Sequence, residues 1–487
     1  MTRPRLASLP SLALPLWLAC AAVAQAGKPA AAVHDALRAP RPKAPEFFGL
    51  YLLDKKVGYL STHLEQLPGG RFRTENSLVF VANVGGRRSE RRHRELRTYS
   101  SAPGGKLLGF TFEQRGDGGE LTLVGECQRS QLSVKRSRPG AADDTLTLPA
   151  CTETADQADA VRVALLRKRP VLGEALDLTD LKAWTSRSAP SGEETRTVGG
   201  VKTRLRRVTT LSAKENVPVE TAVTSEGEVV EVRFGASTFV ARAEPEETAK
   251  TMEASEVFTL TRVTLPVPLP ESAHRVPGEA TLVVEGLPRD FHVPTARQQY
   301  QGLPGGRVAV TLRAPEVKAK VPFPTADPEK GKNLEATLAV ESNAPAIRAL
   351  SAKLVKGQPD AWAAARAINA WVYRNLEKNY GASSDRATDV LSTLTGDCTE
   401  HSLLSVALLR AAGIPARRVD GLLYLRQDDG VPALYWHEWV EAWVGSWVQM
   451  DPTFHQDVAH ATHLALGYEG DARITPLLGT LKVVEVR

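Results

Sequence analysis

Thr395-Gly396-Asp397-Cys398-Thr399-Glu400-His401-Ser402-Leu403-Leu404 opens an apolar run near the C-terminal end of the chain, and Tyr435-Trp436-His437 and Met450-Asp451-Pro452 follow it. Leu403, Leu404, Ala407, Leu408 and Ala411 fall on one helical stripe, and Gly413 with Pro415 ends it, so a helix is predicted over Cys398–Ala411. Cys398 then sits at the helix N-terminus, where unsatisfied amides and the positive end of the dipole lower a thiol pKa toward neutrality. The same amides can hold an oxyanion, and Gly396 gives a substrate room to approach. The plainer reading is a buried structural thiol, although such a cysteine belongs mid-helix on the apolar stripe rather than ahead of it. Cysteine, histidine and aspartate in this order point to a nucleophile, its base and the orienter of that base.

Tyr435–Val444 reads as a strand whose period of two puts His437, Trp439, Glu441 and Trp443 on one face. Gly445-Ser446 turns the chain, and Trp447–Asp451 returns. A turn there sets Asp451 near position 440 and His437 near position 454, so the two are diagonal neighbours on adjacent strands. An aspartate at that place would fix the imidazole tautomer and stabilise the imidazolium. A lone histidine in an aromatic-rich strand would otherwise be read as structural.

Four linked blocks together resemble the transglutaminase-like superfamily, in its bacterial exported type. They are Gly396-Asp397-Cys398-Thr399-Glu400-His401, Leu408-Leu409-Arg410-Ala411-Ala412-Gly413-Ile414-Pro415-Ala416-Arg417, His437-Glu438-Trp439-Val440-Glu441 and Trp447-Val448-Gln449-Met450-Asp451-Pro452-Thr453. The resemblance covers residues 340–460 and is silent on the first 320. It implies a papain-like α+β core in which the cysteine helix packs on an antiparallel sheet, with Cys398, His437 and Asp451 as the catalytic positions and no cofactor or metal. Glu438 stands where many relatives carry alanine, on the opposite strand face from His437. An upstream oxyanion donor does not map.

The 487 residues, 42% hydrophobic and 24% charged, make an ordinary globular balance long enough for several domains. Arg3 and Arg5 precede an apolar segment from Leu12 to Val23, and Ala24-Gln25-Ala26 is a small-x-small cleavage pattern, so residues 1–26 read as a signal peptide. Pro15 and the short length argue against a spanning helix. Leu18-Ala19-Cys20 invites a lipoprotein reading, but Trp17 stands where a branched aliphatic residue is usual. Membrane association is expected only if this segment is retained or lipidated. The formal charge of +5 loses two with the segment's arginines, too mild a balance for a polyanionic partner, and nucleic-acid binding is not expected. Cys127, Cys151 and Cys398 remain. Cys127 and Cys151 either close a loop in an oxidising compartment or are buried small hydrophobes.

Extended segments from Phe47 are broken by Pro68-Gly69-Gly70, Gly85-Gly86, Pro103-Gly104-Gly105 and Gly116-Asp117-Gly118-Gly119, which suits an antiparallel meander. A helix over Ala158–Arg169, stopped by Pro170, interrupts it, and strands return around Arg204–Leu211 and Glu228–Ala241. Residues 45–243 are therefore taken as a β-rich N-terminal domain. Residues 244–256 read as a linker, 257–324 as a small β-sandwich or connector, 325–332 as a second linker and 340–487 as the transglutaminase-like domain. Six of the seven tryptophans left after residue 26 lie between Trp362 and Trp447, so this last part has its own core chemistry. Within it Ala364, Ile368, Trp371, Val372 and Leu376 mark an amphipathic helix.

Weaker signals have plain explanations. Arg87-Arg88-Ser89-Glu90-Arg91-Arg92-His93-Arg94 reads as a solvated strand face. His455, His460 and His463 with Asp457 match no zinc spacing, and His401 lies one turn from Cys398 with no carboxylate to aim it. The expectation is a periplasmic or secreted thiol acyltransferase or hydrolase. It would act on protein or peptide amides through a thioester, with a protein, peptide or cell-envelope component as partner. The alternative from another class is an inactive transglutaminase-like envelope scaffold that binds a ligand or protein.

Overall fold

The computed structural model describes residues 34–487 except 85–86, 102–104, 117–118, 129–130, 140–141, 179–180, 214–217, 236–238, 253–254, 319, 380–383, 385 and 470–476. The signal segment expected at 1–26 and the turns expected at 85–86, 103–104 and 117–118 lie outside the described residues. A large β-rich N-terminal region precedes a region of helices and strands that carries the cysteine helix.

Fourteen antiparallel strands make the first region: β1 (Glu46–Leu52), β2 (Lys55–Gln66), β3 (Phe72–Val84), β4 (Arg87–Tyr99), β5 (Leu107–Gly116), β6 (Gly119–Cys127), β7 (Gln131–Ser137), β8 (Asp144–Pro149), β9 (Val171–Asp177), β10 (Lys182–Val198), β11 (Val201–Ser212), β12 (Pro218–Val223), β13 (Val229–Phe234) and β14 (Phe239–Ala243). β1 to β8 form one meander and β9 to β14 another, and the two join where β1 pairs with β14. The sheet curls, because Phe110, Leu132 and Val134 from one meander share a core with Val171, Val208 and Val223 from the other. Short helices α1 (Asp35–Arg38) and α2 (Ala155–Ala158), with α3 (Ala160–Arg167), fill one part of the curl. Another part keeps a cavity of about 390 Å³ lined by Leu78, Phe112, Leu176, Trp184, His93 and Glu95. Alternation on β4 turns Arg97 and Tyr99 inward onto the buried Glu153, while Arg92 and Arg94 stay outside with Glu90 and Glu75.

Cys127 and Cys151 are joined in a disulfide across 24 residues, which ties the end of β6 to the segment ahead of α2. Closing such a loop in the unfolded chain is worth about 3 kcal/mol. Replacing both cysteines by serine is expected to lower the unfolding free energy of the N-terminal region, read from urea titration, by that much, and dithiothreitol should do the same to the wild type only.

Neither charged segment is a free linker. Glu244 bonds Lys56, and α4 (Glu246–Lys250) packs on β1 and β2. The strand β15 (Ser255–Glu256) adds in parallel to β3, and α5 (Val257–Thr261) follows. Further on, Asp327 accepts from the backbone of Glu329 and Asn333, and Glu329 bridges to Arg417.

The expected sandwich is a single sheet of four strands in the order β18-β19-β17-β26, with β17 (Gly278–Glu285), β18 (Gln298–Gly302), β19 (Val308–Ala314) and β26 (Lys482–Val486). Its fourth strand comes from the end of the chain, out of the stretch assigned to the next domain. Its missing apolar partner is the neighbouring sheet: Leu282, Val284, Val310 and Leu312 share one core with Leu422, Leu434 and Leu464.

That neighbouring sheet holds β16 (Val263–Thr264), β22 (Ala416–Arg426), β23 (Pro432–Trp443), β24 (Trp447–Met450) and β25 (His463–Tyr468). Its other face packs through Val440, Ala442 and Met450 on α6 (Pro345–Val355), α7 (Ala361–Asn375), α8 (Ala387–Thr393) and α9 (Cys398–Ala411). The cysteine helix is thus buried on nearly all sides, with Leu403 to Leu409 each at most 1% exposed. Gly413 ends it at φ 73°, and a Cβ there would meet Pro324 Cβ at 2.4 Å. β20 (Glu377–Lys378) and β21 (Thr395–Gly396) pair in parallel just ahead of the helix.

Candidate active site

Asp397 caps the helix. Its carboxylate accepts from Thr399 N (2.7 Å) and from the amide of Glu400, whose own carboxyl accepts from Asp397 N (2.8 Å). His401 N bonds Asp397 O at 3.1 Å. With those amides spent, the N–H of Cys398 is the one left at the helix start without an intrahelical acceptor. Gly396 serves the cap rather than a substrate: it is buried, and a Cβ on it would meet Glu400 Cβ at 2.2 Å.

Cys398 is half-buried, and the backbone amide of Glu438 hydrogen-bonds its sulfur. The expected lowering of its pKa is overturned. Burial pushes the thiol well above its ordinary value, and the carboxylates of Asp397, Glu438 and Glu400 add to it. The helix terminus cannot compensate, because its amides are engaged by Asp397. Burial and Asp397 also push Glu400 up to about 8, so it is largely protonated at neutral pH. Glu438, buried beside Arg418 (3.4 Å), is pushed well above the carboxylate range by burial, despite that arginine.

β23 carries His437, and the hairpin register Val440↔Met450 sets Asp451 beyond Met450, across from Trp439. This is one position from the expected register, and it puts Asp451 on the strand face of His437 and Trp439. His437 Nε2 donates to Asp451 Oδ2 at 2.9 Å, which leaves Nδ1 as the acceptor of the neutral ring. Trp439 and Phe454 flank the imidazole at 6.0 and 5.6 Å between ring centroids.

Asp451 is fully buried, and each of its oxygens has two donors. Oδ1 accepts from Thr453 N (2.8 Å) and Phe454 N (3.2 Å); Oδ2 accepts from His437 and from His463 Nε2 (3.1 Å). Burial alone would raise this carboxyl, yet His437 and His463 hold it far below the usual range. His463 is the residue that sequence reasoning did not attach to the site. It reaches Asp451 through the pairing Leu423↔His463, a contact between distant segments that no local pattern marks.

Burial pushes His463 down to about 4, so it is a neutral donor at ordinary pH. An unfolded histidine titrates near 6.5, so the unfolded chain takes the proton first. This contribution to stability is complete above about pH 6.5 and falls by about 3 kcal/mol as the pH drops to about 4. Urea titrations at pH 7 and 4.5 are expected to show the slope, and His463→Gln, which keeps a donor and removes the titration, should flatten it.

The other histidines take separate places. His455 stacks on Tyr373 (4.8 Å), and Asp457 bonds Arg366 (2.7 Å) and Asn369 (3.1 Å). Among that expected group only His463 approaches the site. His401 is buried, with Nδ1 on Asp397 O (2.6 Å) and Nε2 without a partner among the described residues. The ligand atoms of His437, Asp451 and His463 lie within 4.8 Å of one another, a spacing compatible with a metal ion. Their mutual hydrogen bonds already satisfy them.

The fold and this constellation define a transglutaminase-like core: residues 348–452 match the transglutaminase-like superfamily. An uncharacterised protein of Mycobacterium leprae (strain TN) is 32% identical over 95 residues, which are 19% of this chain and 34% of that one. The match thus spans about a third of the relative's length. A candidate cysteine protease from Cytophaga hutchinsonii shares 18% identity at a TM-score of 0.28, covering 43% of this chain and 87% of that one. A β-barrel-like protein from Brucella abortus shares 11% at a TM-score of 0.32, over 41% and 94%.

Proposed function

We propose that the chain is an exported thiol-dependent acyltransferase or hydrolase acting on carboxamide or peptide bonds of proteins or peptides. The observation that carries this reading is an imidazole, His437, aimed by the four-bonded Asp451 and followed in its strand by Glu438, whose backbone bears on the Cys398 thiol at the helix start. His437 Nδ1 takes the Sγ proton as sulfur attacks the carbonyl carbon, and the new oxyanion finds the free N–H of Cys398. The imidazolium returns the proton to the leaving amine and a thioester remains. Water then gives the acid, and a primary amine gives a new amide. Asp451, kept anionic, stabilises the imidazolium between these steps. The Cys127–Cys151 disulfide supports a periplasmic or secreted location.

A second reading, an envelope protein using the core as a binding scaffold, draws on the raised thiol of Cys398. Ammonia and amine release from a mixture of carboxamide peptides, with and without dansylcadaverine, separates the two. Release that disappears in Cys398→Ala supports the enzyme; equal traces from both proteins leave the scaffold.

A further inference from the structure

Beside the His437 ring lies an aromatic platform with a cation on it. Phe454, whose amide bonds Asp451 Oδ1, lies beside the His437 ring at 5.6 Å between centroids. Lys378 Nζ stands over the Phe454 ring at 4.8 Å and 5.8 Å from the ring of Tyr373, which stacks on His455 at 4.8 Å. Lys378 is paired with Gly396 in the two-stranded sheet, and Asn379 N bonds Gly396 O at 3.0 Å. This lysine is therefore fixed by pairing with Gly396, two residues ahead of the nucleophile, on one side and stands over the neighbour of the base on the other. It is exposed, and among the described residues no carboxylate pairs with it. Arg366, Arg410 and Arg417 are by contrast ion-paired, with Asp457, Glu469 and Glu441.

We infer that this platform selects acyl donors carrying a carboxylate beside the reacting amide, with Lys378 as the specificity-determining residue. The inference rests on the proposed thiol chemistry and names its substrate class, an acidic peptide or protein segment. Two aromatic rings confine the ammonium at the rim, so it meets an incoming anion without first breaking an ion pair. The interior behind it holds the anionic Asp451, and an acidic donor approaching without a cation at the rim would be repelled.

Iodoacetate and iodoacetamide alkylate a thiol alike and differ by one carboxylate, so their rate ratio at Cys398 reads the rim charge without any substrate. In Lys378→Glu the iodoacetate-to-iodoacetamide ratio is expected to fall about tenfold, in Lys378→Arg to stay as in the wild type, and in 0.5 M NaCl the variants should converge. An equal ratio in wild type and Lys378→Glu at low salt would overturn the inference. So would a ratio that falls equally in Lys378→Arg, which would make the lysine's shape rather than its charge responsible. Failure of the chemistry itself is read separately, as alkylation of Cys398 by either reagent that does not depend on His437.

Discussion

His437→Ala is expected to silence Cys398 toward iodoacetamide at pH 7, by about a hundredfold or more relative to the wild type. The proposed mechanism gives the sulfur's proton no acceptor but this imidazole. Burial, and after it Asp397, hold the thiol in its neutral form, and the backbone of Glu438 opposes them. On the proposed mechanism the wild-type thiolate forms together with an imidazolium beside Asp451, and that pairing offsets the burial of the sulfur. Labelling mapped by peptide mass across pH 5 to 10 should therefore show a His437-dependent reactive form near neutrality, and in the variant only a rise at strongly alkaline pH. Labelling that is the same in both proteins would mean that the imidazole does not activate this thiol. Amide turnover by His437→Ala should be lost with the labelling, by about 10⁴-fold.

The parts of this site that were legible in the sequence are those set by local rules. The stripe from Leu403 to Ala411 with Gly413-Ile414-Pro415 behind it announced the helix, and period-two alternation with Gly445-Ser446 announced the hairpin that joins His437 to Asp451. The register was one residue off because a turn's geometry, not its composition, sets where pairing starts; Gly445 at φ 99° places Trp443 opposite Trp447. The thiol's environment was half legible. The helix start was plain, but the effect on the sulfur of burial and of Asp397 beside it was not.

Long-range pairings left no such trace. His463 comes to Asp451 only because β25 joins β22, and the small sheet is completed by a strand from the last residues of the chain. In the N-terminal region the long strand β10 went unread. Its seventeen residues are mostly polar and exposed on both faces, with a register shift between Pro190 and Gly192, so neither alternation nor hydrophobicity marks it.

Asp451→Ala carries the other large effect, and it acts on both stability and turnover. The wild-type carboxylate accepts four hydrogen bonds in a site closed to water, two from backbone amides and two from imidazoles. Deleting it strands the amides of Thr453 and Phe454 and the Nε2–H of the fully buried His463, a loss of about 3–5 kcal/mol. Asp451→Asn keeps the volume but offers one acceptor oxygen where two were used, and its amide nitrogen confronts an N–H. His437 is then driven to the other tautomer, with hydrogen on Nδ1 where the thiol needs an acceptor, and turnover should fall about 10⁴-fold with the fold largely kept. The two variants separate the roles: urea unfolding should report the alanine as much the less stable, while amide release should be lost in both. Turnover retained by a folded Asp451→Asn would show that the carboxylate holds the hairpin end and does not orient the base.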